Sequence, residues 1–218
     1  INNNAAGVGF NDTTAATPVG GNTGTTVGAQ RVIAFQFAAD HWGNRVASSV
    51  PIRVGAQFTA LTCTQTSAVL GSAGPNTVFR DFSGAPRAGT WYVAAEVNAL
   101  SGTDQSPSSD DINADFNSNI GTPGCLQSLG WYYGLDGKNP SGTIDFVAVL
   151  IHEMGHGLGF LSLVSQSGSK FNGFDDTFMV NLENHGAAPS DFPSMTDAQR
   201  AAAEIATGNL HWTGANVQ

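Results

Sequence analysis

Residues 146–160 read "FVAVLIHEMGHGLGF", and the first six of them are apolar without a break. A run that is apolar on most sides predicts a helix buried at the centre of a fold rather than one lying on its surface. At its polar end the chemistry is concentrated. Residues four apart on a helix stand one turn above each other on the same face, so His152 and His156 aim two imidazoles at one point, with Glu153 beside them. The helix is expected to start near Thr143, with Ser141 or Thr143 as its cap. Gly155, Gly157 and Gly159 follow at alternate positions. Each costs up to ~1 kcal/mol inside a helix, so the cluster predicts the helix end and a close packing contact there.

Two histidines at i and i+4 with a glutamate after the first form the H-E-x-x-H pattern of a zinc hydrolase. In that reading His152 and His156 hold one Zn2+, which lowers the pKa of a water toward ~7, and Glu153 is the catalytic general base. The plainer reading is a pair of helix histidines satisfied by ordinary hydrogen bonds. A third is a metal kept only for structure.

Composition narrows the setting. Charged residues make up 11% of the 218, against roughly 25% in ordinary domains. Asn, Thr, Ser and Gly take their place, giving the neutral polar surface of a secreted protein. The net charge is -9, and there is no run of Lys or Arg, so the footprint of a nucleic-acid binder is missing. No apolar stretch approaches the ~20 residues that span a bilayer. The first residue is Ile1 rather than Met, as expected of a processed, extracellular chain. Cys63 and Cys125 are the two cysteines, and in such a chain they are expected to form a disulfide. Closing that loop is worth ~4 kcal/mol in the chain-entropy model. Two buried thiols are the alternative, whereas a cysteine zinc site would need a C-x-x-C spacing that does not occur.

The flanking sequence supplies the remaining elements. Residues 1–26, rich in Gly, Thr and Asn, read as extended chain laid on the domain. Residues 27–41 place Val32, Ile33, Phe35, Phe37 and Ala38 at helical spacings. "VPIRVGAQF" alternates through Ile52, Val54, Ala56 and Phe58 as a strand does, "TWYVAAEVNAL" reads as a second strand, and "DINADFNSN" alternates through Ile112, Ala114 and Phe116. "MTDAQRAAAEIATG" opens on Thr196 with Gln199 three positions on, a capping box, and Gly208 is placed to stop that helix. No linker divides the chain, so residues 1–218 are expected to form a single domain.

The glycines after His156 sharpen the class. "HEMGHGLGF" resembles the metzincin pattern H-E-x-x-H-x-x-G-x-x-H, with Gly159 at its glycine but Ser162 where the third histidine belongs. A neutral serine is a poor zinc ligand. Leishmanolysin-like proteases depart in the same way, with an insertion before the third histidine and its Met-turn. More closely, the chain resembles secreted bacterial metalloproteases that bear a protease-associated domain. "GFNDTTAATPVGGNTGTT", "VPIRVGAQF", "TSAVLGSAG", "FNSNIGTPGC", "WYYGLDG", "MTDAQRAA" and "WTGANV" carry that likeness across nearly the whole chain. The resemblance implies an α+β zincin domain, metzincin-like, with a twisted mixed sheet and a long amino-terminal helix packed on the active-site helix. It implies a secreted endopeptidase acting on protein or peptide substrates. It also implies sequence beyond "WTGANV", where a later segment supplies the third histidine.

Within the chain, Asp176 in "FDDTF" is a candidate third ligand, Asp175 and Glu183 are variants of the same idea, and His211 precedes Trp212 without a following Met-turn. His41 and His185 read as surface or capping residues. Asp110, Asp111, Asp115, Asn117 and Asp136 carry oxygens that suit Ca2+, though without EF-hand spacing. Trp91, Tyr92, Trp131, Tyr132 and Tyr133 read as packing rather than a sugar platform. The cleft over the metal is expected to be bordered by an edge strand, "TWYVAAEV", onto which an extended peptide adds. The competing function, from a different class, is a secreted adhesion or structural module on the same scaffold, catalytically idle because its ligand set is incomplete.

Overall fold

The structure is a computed structural model and describes residues 4–215. Among the described residues the α-helices are α1 (Val27–Gly43), α2 (Ala94–Ser101), α3 (Phe146–Gly157) and α4 (Asp197–Glu204). The strands are short and fall into four small sheets. In chain order they are β1 (Val54–Thr59), β2 (Gly71–Pro75), β3 (Val78–Arg80), β4 (Thr90–Val93) and β5 (Ile112–Asn117). β6 (Gly130–Tyr132), β7 (Thr143–Asp145), β8 (Asp175–Asp176), β9 (Leu182–Asn184) and β10 (Leu210–Trp212) follow. The architecture is therefore mixed α+β.

The sheet that matters for the candidate site runs β1-β5-β2, with β1 parallel and β2 antiparallel to β5. Side chains alternate between faces along a strand. The register pairs Ala56 with Ala114 and Phe58 with Phe116, so the small and the large residues line up in rows. All four are buried in one cluster with Phe146, Leu150 and Met154 of α3. The Phe146 ring lies 5.3 Å from Phe58 and 5.1 Å from Phe116. Burying a side chain of this size stabilises by roughly 1.5–3 kcal/mol, and truncating Phe146 to Ala should cost about 3–5 kcal/mol.

Helix α1 packs on α3 through Ala34, Phe35 and Ala38, which are buried, whereas Val32 and Phe37 point to solvent at 41% exposure each. The apolar spacing located the helix but misassigned part of its inner face. Phe10 from the amino-terminal segment wedges between Phe35 and Phe58, at 5.6 and 5.3 Å. Asn4 fastens the same segment to β1. Its Nδ2 donates to Phe58 O at 3.1 Å and its Oδ1 accepts from Phe58 N at 3.0 Å. Residues 1–3 lie outside the described residues.

A second cluster gathers Met179, Leu182, Phe192, Met195 and Ala203 beneath α4 and the β9–β10 pair. Thr196 and Gln199 form the expected capping box. Helix α4 ends at Glu204, however, and Gly208 at φ +80° lies in the turn toward β10 instead of stopping the helix.

Two other readings are corrected. "TWYVAAEVNAL" is not one strand: β4 stops at Val93 and α2 begins at Ala94. The Ala-rich second half favours helix, Glu96 caps it by accepting from Val93 N at 3.2 Å, and Gly102 ends it in the left-handed conformation at φ +69°. Helix α3 also starts later than expected. Thr143 belongs to β7, and the cap is Asp145, whose Oδ1 accepts from Ala148 N at 3.2 Å. The disulfide between Cys63 and Cys125 is present, with a Cα–Cα distance of 5.2 Å. Trp131, Tyr132 and Tyr133 pack as expected, Trp131 and Tyr133 against Phe146. No helix among the described residues is long and apolar enough to cross a membrane.

Candidate metal centre

Helix α3 is aimed by its two ends. At the start, β7 pairs in parallel with β6 and hands the chain directly to the Asp145 cap. At the finish, Gly157 lies against β5, so close that a Cβ there would stand 2.4 Å from Cγ2 of Ile112. Gly71 does the same for β2: a Cβ on it would stand 3.1 Å from Cγ of Glu153. Two glycines thus let the sheet approach the helix on either side of the catalytic candidate. Glu153 is 8% exposed, His156 is half-buried and His152 is exposed.

The two imidazoles converge. His152 Nε2 and His156 Nε2 are 3.1 Å apart, with the rings 87° from coplanar. Two ligand nitrogens on a tetrahedral zinc at ~2.0–2.1 Å stand about 3.3 Å from each other, so the separation is close to that bite. Phe160 O sits 2.8 Å from His156 Nδ1. A carbonyl oxygen only accepts, so Nδ1 carries a proton, and in a neutral imidazole that tautomer leaves the Nε2 lone pair facing His152. The same 3.1 Å also suits a hydrogen bond donated by His152 Nε2. The donor chemistry therefore fits a zinc ion without requiring one.

The carbonyl of Phe160 is brought there by the turn that ends α3. Gly159 at φ +110° reverses the chain, and Phe160 N donates back to Gly155 O at 3.0 Å. Past that turn Ser162 is engaged elsewhere. Its Oγ donates to Asp176 Oδ2 at 2.9 Å, and Leu163 N donates to the same oxygen at 2.7 Å. Asp176 Oδ1 accepts from Phe178 N at 3.0 Å and Met179 N at 2.7 Å. Burial pushes the Asp176 carboxyl above its ordinary pKa and these bonds pull against that shift. Asp176 is an organiser of the 161–179 loop, with both oxygens committed.

The other candidate ligands have neighbours of their own. Asp175 pairs with Lys170 at 2.6 Å, and Glu183 lies 3.4 Å from His185. His211 stacks on His185 with ring centroids 4.3 Å apart, and its Nε2 lies 3.1 Å from Gly208 O. His41 stands edge-on to Trp42. Among the described residues, no three or more His, Cys, Asp or Glu are grouped to hold a metal ion. Asp176 and His211 therefore do not complete the His152–His156 pair. The oxygens named for Ca2+ are dispersed too: Asp111 accepts from Asn98 Nδ2 and Arg53 N, both at 2.8 Å, and Asp136 accepts from the Tyr132 hydroxyl at 2.7 Å.

The expected edge strand is also reassigned. β4 is the middle strand of β3-β4-β8, whereas β2 is one of the two edge strands of the sheet that meets α3. Sequence reasoning missed β2 because "GSAGP" carries no alternation and reads as a loop; its smallness beside Glu153 was the available signal. It also missed the Phe160 carbonyl, a main-chain group that no residue type announces.

Comparison with known protein families, with curated proteins and with solved structures gave no match in any of the three.

Proposed function

We propose that this chain is the metzincin-like zincin domain of a secreted zinc-dependent endopeptidase. The observation that carries the reading is the convergence of His152 Nε2 and His156 Nε2, 3.1 Å apart, on a buried helix whose Glu153 faces an edge strand. His152 and His156 would hold the ion, and Phe160 O fixes the tautomer of the second. A bound zinc ion would supply Lewis-acid polarisation of a carbonyl and a water that ionises near neutral pH. Glu153 takes up a proton at its carboxylate and delivers it to the leaving amine. Among the described residues no strand pairs with β2 on the side away from β5, and an extended peptide adding there would run past Glu153. The disulfide, the scarcity of charge and the lack of a membrane-crossing helix among the described residues are compatible with an extracellular setting.

The pair of imidazoles without a third ligand among the described residues favours a second reading, an adhesion or structural module that keeps the scaffold and lacks catalysis. Metal content and peptide cleavage discriminate the two. Stoichiometric zinc with chelator-sensitive cleavage supports the enzyme, and a stable fold with neither supports the module. Glu153→Gln should keep zinc bound while lowering cleavage by about 10²–10⁴-fold, the usual worth of a general base. A variant that cleaves at the wild-type rate would sink the assignment.

A further inference from the structure

Glu96 is a carboxylate held in an uncommon position. Its Oε2 accepts from Val93 N at 3.2 Å and from Thr177 Oγ1 at 2.9 Å. Its Oε1 takes no hydrogen bond among the described residues and lies over Gly159, where a Cβ would stand 2.9 Å away. None of the ion pairs among the described residues involves Glu96. Burial pushes its carboxyl above the ordinary glutamate range, and the charge of Asp176 pushes the same way. A carboxylate held largely out of water without a cation is costly, and such groups concentrate where a ligand is received.

Glu96 borders a cavity of about 250 Å³ whose other walls include Gly159, over which Oε1 lies, and Phe160, Phe178 and Trp212. The Phe178 and Trp212 rings are 4.9 Å apart and tilted by 47°, and Phe160 is 56% exposed. That volume is below the ~300–1,000 Å³ of sites for drug-sized molecules, so it suits a group the size of one side chain. Aromatic faces around a carboxylate are the setting in which guanidinium and ammonium groups bind, through cation–π attraction and charge-assisted hydrogen bonds. The net charge of -9 adds a long-range pull on cations.

We propose that this cavity is a recognition site for one basic side chain, with Glu96 Oε1 accepting from its guanidinium or ammonium and the three aromatic rings enclosing its stem. The proposal stands apart from the zinc chemistry and is tested without it. Calorimetry on the full chain would use acetyl-arginine amide and acetyl-lysine amide as probes, with acetyl-norleucine amide as the uncharged control. The basic amides should bind at least about tenfold more tightly than the control, consistent with a partly buried charge pair, and should weaken as salt is raised. Glu96→Gln should reduce them to the level of the control. Its amide oxygen can still accept from Val93 N and Thr177 Oγ1, so the fold is retained, as a thermal melt would check. Phe178→Leu, which opens one aromatic wall, should weaken the basic amides and serves if the first variant fails to fold. Equal binding of all three amides, or unchanged binding in both variants, would overturn the proposal. So would displacement of the basic amides by one equivalent of Ca2+, which would make this a metal site instead.

Discussion

Gly155 and Gly157 sit two residues apart on the same helix, yet the structure gives the same substitution opposite signs at the two. A Cβ at Gly155 meets only Trp42 Cζ2, at 3.4 Å, an ordinary contact. Ala there should gain up to about 1 kcal/mol from helix propensity. A Cβ at Gly157 meets Cγ2, Cδ1 and Cγ1 of Ile112 at 2.4, 2.6 and 2.7 Å. Ile112 is 1% exposed and sits at the start of β5, so it cannot swing into solvent. Relief requires helix and strand to part by roughly 1 Å, and overpacking of this kind costs about 1–3 kcal/mol. Set against the propensity gain, Gly157→Ala should be destabilised by about 0–2 kcal/mol. Urea unfolding reads both. With m near 2 kcal/mol/M, 1 kcal/mol moves the midpoint by about 0.5 M, so the Gly155→Ala midpoint should lie above the wild type and the Gly157→Ala midpoint at or below it. Shifts of the same sign and size would show that β5 does not press on the end of α3 as described.

Other tests address the loops and the charges. Ser162→His would place the histidine of the metzincin pattern at this position, but the position is turned onto Asp176, so the variant should bind zinc no more tightly than wild type and stability should fall by about 1 kcal/mol with the lost hydrogen bond. Strong tightening of zinc on titration would refute that loop geometry. Glu96, with its carboxyl raised above the ordinary glutamate value by burial, favours the folded state below its unfolded pKa and loses that advantage as pH rises through the folded value. Relative to wild type, Glu96→Gln should therefore gain stability across that window, and parallel pH–stability curves would contradict it. Replacing Cys63 and Cys125 together by Ser should cost about 4 kcal/mol, since the bridge spans a sequence separation of 62. An unchanged unfolding midpoint would argue against a constraining bridge.

The legible part of the fold was the part with a period. Alternation in β1 and β5, the apolar run of α3 and the Thr196 capping box each bury or satisfy groups in the pattern their spacing requires. Misreadings arose where two signals overlapped. In "TWYVAAEVNAL" the aromatic and β-branched start hid a helix whose first residues are alanines, and the true start of α3 waited for an acidic cap inside a segment that first pairs as β7. Asp176 shows why a ligand cannot be chosen by separation from His156 alone, because its carboxylate is consumed by four neighbouring donors. The distance between the two histidine nitrogens was legible because a helical turn fixes it locally; whatever else meets them depends on distant chain.

The hydrogen bond that His156 donates to a main-chain carbonyl has an evolutionary corollary. A side-chain acceptor can be deleted by one codon change, but the oxygen of residue 160 survives every substitution made at its own position. The weak point is displaced to Gly159, whose φ of +110° holds that oxygen in place and which no other residue adopts cheaply. Intolerance to mutation should therefore be sharpest at a residue that touches neither imidazole through a side chain and would escape any survey of ligands.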